Sequence, residues 1–329
     1  MNDVLLDVRD LSVHFPVRTG GLLRGRTLPL KAVDGVSFAV KRGETLGIVG
    51  ESGCGKSTLG RAILRLIEPT RGQVLWLGQD LADLDEEALR RQRKDMQIIF
   101  QDPLASLDPR MTVGDIIAEP LEALEPDMSK AERRTRVEDM MDRVGLSPDM
   151  INRYPHEFSG GQCQRIGIAR AMVVRPDLIV CDEAVSALDV SIQAQIVNLL
   201  MDLQAEFGLT LLFISHDLSV VRQISHRILV LYLGRVMELA DRDALYDHPA
   251  HPYTKALISA VPVPDPAVER AKDLPKLSDD LLSPLDLPSG CVFRTRCPHA
   301  RDKCVAEIPV LDNASPGHAV ACHFWREIG

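Results

Sequence analysis

A chain of 329 residues exceeds one average domain, and length points to about two, enough to bury a sizeable core. With 45% hydrophobic and 26% charged residues it reads as globular rather than disordered, and a formal net charge of -9 argues against nonspecific attraction to nucleic acid. No apolar run is long enough to cross a bilayer, and Met1–Asp7 lacks the basic-then-apolar order of a secretion signal, so the cytosol is the expected compartment.

Residues 4–15 alternate weakly and predict an edge strand, followed by a Gly- and Arg-containing loop from Arg18 to Leu30. Ala32–Val40 predicts a strand that a turn at Lys41-Arg42-Gly43 joins to the apolar run Thr45–Val49, a buried strand. The stretch Gly50, Glu51, Ser52, Gly53, Cys54, Gly55, Lys56 and Ser57 then fits the phosphate-loop pattern, and Thr58 continues it. Its three glycines let the backbone wrap until N–H groups face an anion, and the following helix turns its positive end to the same phosphates. Lys56 reaches for the β- and γ-phosphates, and the Ser57 hydroxyl suits a nucleotide-bound Mg²⁺, which takes oxygen ligands. Together they predict a nucleoside-triphosphate site. Leu59, Ile63, Leu66 and Ile67 share one face of the helix, with Pro69 and Gly72 expected to end it.

From Arg110 to Phe158 the sequence is polar and helical without a strongly strand-like run. Ser129-Lys130-Ala131-Glu132 is a capping box, and Val137, Met140, Met141 and Val144 keep helical spacing as far as Gly145. An inserted helical subdomain is expected over about residues 102–172. The α/β pattern resumes with the strand Leu178–Cys181, a helix carrying Ile192, Ile196, Leu199, Leu200 and Leu203, and the strand Thr210–Ile214. The predicted fold class is therefore α/β, a phosphate-loop NTPase with a mostly parallel sheet covered on both faces and an antiparallel β edge. After Cys181 come Asp182, suited to the Mg²⁺ shell, and Glu183, placed to accept a proton from an attacking water.

Beyond about residue 240 the composition shifts. Prolines crowd positions 249, 252, 262, 264 and 266, and a Pro-rich acidic stretch runs to Pro288, predicting a wrapped linker and a small appended module. The module holds Cys291, Cys297, Cys304 and Cys322, separated by five, six and seventeen residues. Four thiolates can hold tetrahedral zinc or an iron–sulfur cluster, and the spacing leaves both open.

Phe158-Ser159-Gly160-Gly161-Gln162, just before Arg165–Ala171, resembles the signature motif and helix of ATP-binding cassette (ABC) proteins. Ser159, Gly160, Gly161 and Gln162 at a helix start form a second anion site, and the resemblance implies a head-to-tail dimer that shares its ATP. Gln101 resembles the Q-loop glutamine, which implies contact with the γ-phosphate, its Mg²⁺ and the membrane subunit. Ser186–Asp189 resembles the dimer-interface D-loop, His216 the switch histidine, and Phe15 the aromatic that stacks on adenine. Ala184 stands where the family usually has proline, a departure that removes a fixed φ from the turn orienting Glu183.

His251–Leu257, Ala260–Pro262 and Gly290–Pro298 resemble the C-terminal extension of oligopeptide and dipeptide importer ATPases, so the resemblance spans nearly the whole chain. It implies a nucleotide-binding domain at 1–250 and an extension at 251–329 with a [4Fe–4S] cluster on the four cysteines. It further implies an ATPase using ATP and Mg²⁺ on the cytoplasmic face of the inner membrane. The implied partners are a second ABC ATPase subunit, paralogue or copy, two transmembrane permease subunits and an extracytoplasmic peptide-binding protein, with no nucleic acid. The same machine with nickel, glutathione or defence peptides as cargo is the alternative. A soluble ABC protein acting on DNA or ribosomes is the rival of another class, opposed by the single cassette and the acidic balance. The cysteine module lies far in sequence from Lys56 and Glu183, so loss of its metal is expected to unravel the tail without abolishing nucleotide binding.

Overall fold

The computed structural model describes residues 3–19, 26–262 and 285–328. The chain forms two compact units, one of Met1–Leu6, Val40–Thr45 and Trp76–Ser215, the other of Asp7–Ala39, Leu46–Leu75 and His216–Gly329.

In the first unit the strands Met96–Ile99, Leu178–Asp182 and Thr210–Ile214 pair in parallel, with Ile98 opposite Val180 and Val180 opposite Leu212. Every residue of the last two strands is buried, as expected where a parallel sheet is covered on both faces, which is why both read as unbroken apolar runs. Between the first two strands lie the helices Val113–Leu124, Lys130–Arg143 and Gly160–Met172, which pack on one another. Ser129 and Glu132 form the capping box in both directions, Val137, Met140 and Met141 are buried, and Gly145 follows the helix at φ 74°. The helix Val190–Phe207 buries Ile196, Leu199, Leu200 and Leu203 and ends on Gly208 in the left-handed region.

In the second unit the sheet order is Asp312–Ser315, His318–Val320, Arg235–Asp241, Arg227–Tyr232 and Thr45–Val49. Its last pair is parallel, Ile48 opposite Leu229, and the others are antiparallel. A separate sheet sets Val4–Thr19 between Arg26–Lys41 and Arg71–Trp76. Among the described residues no helix is long and apolar enough to cross a membrane.

Several expectations need correction. Val4–Thr19 is an inner strand rather than an edge, and Leu5, Leu6, Val8, Leu11 and Val13 are all buried. The strand Arg26–Lys41 starts inside the stretch expected as loop, and residues 20–25 of that stretch lie outside the described residues. The helix after the phosphate loop spans Lys56–Ile63, because Arg65 turns into the left-handed region at φ 54°, and Leu66 is consequently exposed. The tail is more than an appended module. Its hairpin Asp312–Ser315 and His318–Val320 continues the sheet, with Glu238 opposite Val320. Most of the Pro-rich stretch, residues 263–284, lies outside the described residues.

Candidate functional site

The buried strand Thr45–Val49 delivers the chain into the phosphate loop of the second unit. Two positions there admit no side chain. A Cβ on Gly50, at φ 153°, would stand 2.1 Å from the Leu231 carbonyl oxygen, and one on Gly55, at φ 107°, 2.0 Å from that of Ala32. The helix Lys56–Ile63 opens on Gly55 with no side-chain cap, and its N-terminal, positive end points into the loop. Lys56 is buried, and its Nζ donates to the carbonyls of Gly50 at 2.8 Å and Glu51 at 3.0 Å. Ser52 and Gly53 are exposed, while Ser57 and Thr58 are half-buried. Burial pushes the Cys54 thiol up to about 11 despite nearby Lys56. Phe15, on the Val4–Thr19 strand, is 36% exposed and so is not a core residue. His216 is exposed and precedes Asp217, whose Oδ1 accepts from the N–H groups of Ser219 and Val220 at the start of the next helix.

In the first unit Asp182 ends its strand almost fully buried. Glu183 follows at φ 50°, a left-handed conformation that costs a non-glycine residue roughly 1–3 kcal/mol and persists only where its surroundings hold it. They do hold it. Its N–H donates to the Ile214 carbonyl at 3.0 Å, and its own carbonyl accepts from Ser186 N–H at 3.1 Å and Ser186 Oγ at 3.0 Å. Gln193 Nε2 donates to the Val185 carbonyl at 2.9 Å, so the turn that lacks proline at Ala184 is fixed by hydrogen bonds instead. Gln101 Nε2 donates to Glu183 Oε2 at 3.1 Å, joining the two side chains within this unit.

The signature helix Gly160–Met172 lies in the same unit. Ser159 Oγ accepts from Gln162 N–H, and the Gln162 side-chain oxygen accepts from Ser159 N–H, a reciprocal cap. Ser159 and Gly160 are exposed, Gly161 and Gln162 half-buried. A Cβ on Gly160 would meet nothing nearer than Leu188 Cδ2 at 3.8 Å, whereas one on Gly161 would press on Ile192 Cγ2 at 2.7 Å. Intramolecular packing thus explains Gly161 and leaves Gly160 open to solvent.

Sequence reasoning missed the contacts that the extension makes with the phosphate loop. Arg296 Nη1 donates to both carboxylate oxygens of Glu51, at 2.9 and 2.8 Å, and the Tyr253 hydroxyl accepts from Glu51 N–H at 3.0 Å. The tail, far from Lys56 in sequence, is thus not remote from the loop in space: Arg296, between two of the cysteines, touches it. The available signal was the carboxylate itself, an acid inside an anion-binding loop that calls for a counterion.

Cys291, Cys297, Cys304 and Cys322 are all free thiols and line one cavity of about 20 Å³ together with Phe293 and Phe324. Burial, and then its three cysteine neighbours, push the Cys291 thiol up to about 11; burial likewise raises Cys297 and Cys322. A cation reverses that balance by favouring thiolates. Among the described residues, however, no group of three or more His, Cys, Asp or Glu side chains converges as a metal site does. Thiols are the donor type that zinc and iron–sulfur centres take, but as placed here the four do not converge on one point, and the cavity they line holds about one water-sized sphere.

Comparison with known proteins decides the family. The ABC transporter family matches residues 33–186, and the family described as the C-terminal region of oligopeptide/dipeptide transporters matches residues 237–304. The oligopeptide transport ATP-binding protein OppF of Salmonella typhimurium is 59% identical over 97% of this chain and 96% of its own length. The chain belongs to the ABC transporter ATPases. AppF of Bacillus subtilis, also an oligopeptide transport ATP-binding protein, is 55% identical to this ABC ATPase over 98% of each chain. Among solved structures, cbiO1 of Clostridium perfringens, part of the ABC transporter complex cbiONQ, superposes with a TM-score of 0.64 at 26% identity, covering 75% of this chain and 92% of cbiO1. The cassette MJ0796, solved as a dimer bound to ADP and Pi, gives 0.63 at 31% identity, covering 72% of this chain and 98% of its own.

Proposed function

We propose that this ABC ATPase is the ATP-hydrolysing subunit of an importer of oligopeptides or dipeptides, peripheral on the cytoplasmic face of the membrane. The carrying observation is that its likeness to oligopeptide transport ATP-binding proteins runs through the extension as well as the cassette. The cassette occupies residues 1–250, with a helical subdomain at about 102–172, and the extension 251–329. A second ABC ATPase subunit, two permease subunits and an extracytoplasmic peptide-binding protein complete the machine. Nickel, glutathione or defence-peptide cargo is the alternative.

Residues 50–58 cradle the triphosphate, with Phe15 against the adenine. Ser57, Gln101 and Asp182 would hold the Mg²⁺, which would supply charge neutralisation at the phosphates. Glu183 takes a proton from the attacking water as its oxygen bonds to the γ-phosphorus and the bond to the β-bridging oxygen breaks, leaving ADP and phosphate. Gln101 orients Glu183, and His216 monitors the γ-phosphate. Ser159, Gly160, Gly161 and Gln162 face the nucleotide of the partner cassette. In the assembled transporter Glu183→Gln is expected to bind ATP yet turn over at least ~10²-fold more slowly, and to stop peptide uptake. Wild-type turnover would remove Glu183 from its role, and uptake that ignores peptides would remove the cargo.

For the four cysteines the family resemblance favours a [4Fe–4S] cluster, with a zinc ion as the alternative. Anaerobic purification with iron, sulfide and zinc analysis separates the two. Brown protein with iron and sulfide supports the cluster, colourless protein with stoichiometric zinc replaces it, and intact thiols without metal exclude both.

A further inference from the structure

The phosphate loop carries a negative charge of its own. Glu51 stands among groups meant for a polyphosphate, and a bare carboxylate there would repel the ligand. Its side chain is 34% exposed and is met by Arg296, only 12% exposed, which places one nitrogen within 2.9 Å of each carboxylate oxygen. Its backbone N–H is taken by the hydroxyl of fully buried Tyr253 at 3.0 Å. Both partners rest on one aromatic cluster, with ring centres 4.7 Å apart for Tyr232 and Tyr253, 5.3 Å for Tyr232 and Phe293, and 5.4 Å for Tyr253 and Phe293. The Arg296 guanidinium also lies over the Tyr232 ring at 5.8 Å. Arg296 is set by a tight turn, its N–H donating to the Phe293 carbonyl at 3.1 Å, in the segment between Cys291 and Cys297.

We infer that Arg296 and Tyr253 of the C-terminal extension are positioning residues for the nucleotide: they hold Glu51 by its carboxylate and its backbone, so that the phosphate loop meets the triphosphate in one shape and without an uncompensated charge. The inference rests on the ATP site proposed above. It separates two roles for Arg296. A prop for the tail would be needed whatever stood at position 51, whereas a counter-charge is needed only while Glu51 is an acid.

The test is Mg-ATP titration of the full chain by calorimetry, with the melting temperature of each variant recorded. Arg296→Ala is expected to weaken ATP binding about tenfold, as loss of one partner of a partly buried charge pair beside a charged ligand does. Arg296→Lys keeps the charge without the planar fork and falls between. The double variant Arg296→Ala with Glu51→Gln is expected to recover to within about threefold of wild type, because the unpaired charge is gone. Tyr253→Phe, which leaves the Glu51 N–H unpaired, is expected to weaken binding about threefold. Wild-type affinity in folded Arg296→Ala, or weakened affinity that Glu51→Gln does not restore, overturns the inference. If Arg296→Ala does not fold, Arg296→Lys and Tyr253→Phe carry the test, and wild-type affinity in both overturns it. A wild-type chain that binds no ATP, or a Lys56→Ala chain that binds it normally, overturns the ATP site as well. Unchanged Arg296→Ala in a chain that binds through Lys56 overturns this inference only.

Discussion

Two helix starts in this molecule can face phosphate, and they are prepared in opposite ways. The Lys56–Ile63 helix begins on a left-handed glycine with no side-chain cap, inside a loop braced from outside by Arg296 and Tyr253. The Gly160–Met172 helix caps itself through Ser159 and Gln162 and leaves Ser159 and Gly160 exposed. On the function proposed above, the first site is completed by its ligand and held in shape by its own chain, whereas the second, already capped, would receive a phosphate that another cassette brings.

The sharpest way to break this comparison is Gly160→Asp. A carboxylate at an open position is expected to leave ATP binding to the isolated chain intact, while blocking nucleotide-driven pairing of cassettes and lowering turnover of the assembled transporter at least ~10²-fold. Titration on the single chain and light scattering with ATP separate the two effects; loss of both together, or of neither, would refute the division of labour. A smaller effect distinguishes the neighbouring glycine. Gly161→Ala presses on Ile192 within the chain and is expected to cost about 1–3 kcal/mol in chemical denaturation, whereas Gly160→Ala meets only ordinary contact and costs little.

The smallest effect concerns acid. Burial holds the His251 imidazole down to about 4, although Glu238 pulls the other way, and its Nδ1 accepts the Tyr253 N–H at 3.0 Å. A histidine depressed below its unfolded value of 6.5 binds fewer protons folded than unfolded between those two values. Its stability contribution is therefore complete above pH 6.5 and is lost as pH falls toward 4. At pH 6 the loss is on the order of 1 kcal/mol relative to pH 7.5, and His251→Asn, which keeps an acceptor, should flatten it in paired melts. Because His251 belongs to the brace, acid should loosen the phosphate loop before the signature helix.

The phosphate loop, the signature helix and the capping box at Ser129 were legible because each needs particular residue types at fixed local spacing. Long-range pairs leave no such trace. Gln101 and Glu183 are 82 positions apart, and Glu51 and Arg296 are 245 apart, so neither hydrogen bond has a periodicity to read. The early end of the Lys56–Ile63 helix depends on Arg65 at positive φ, a conformation for which arginine is no signal. The tail hairpin escaped notice because Asp312–Ser315 is short and polar, with weak strand preference.

That hairpin also decides what happens at the rim of the sheet. Asp312–Ser315 is the outermost strand, mostly exposed and four residues long, a poor template for another chain. It shields His318–Val320, which in turn covers Arg235–Asp241, where Met237 and Leu239 are buried and the Met237 carbonyl accepts from Ala321 N–H at 2.8 Å. Cutting the chain at residue 250 would bare a longer, apolar row of unpaired backbone groups. A cassette trimmed to its nucleotide-binding part would thus be expected to become adhesive along one side, so the extension covers a sheet rim as well as bracing the phosphate loop.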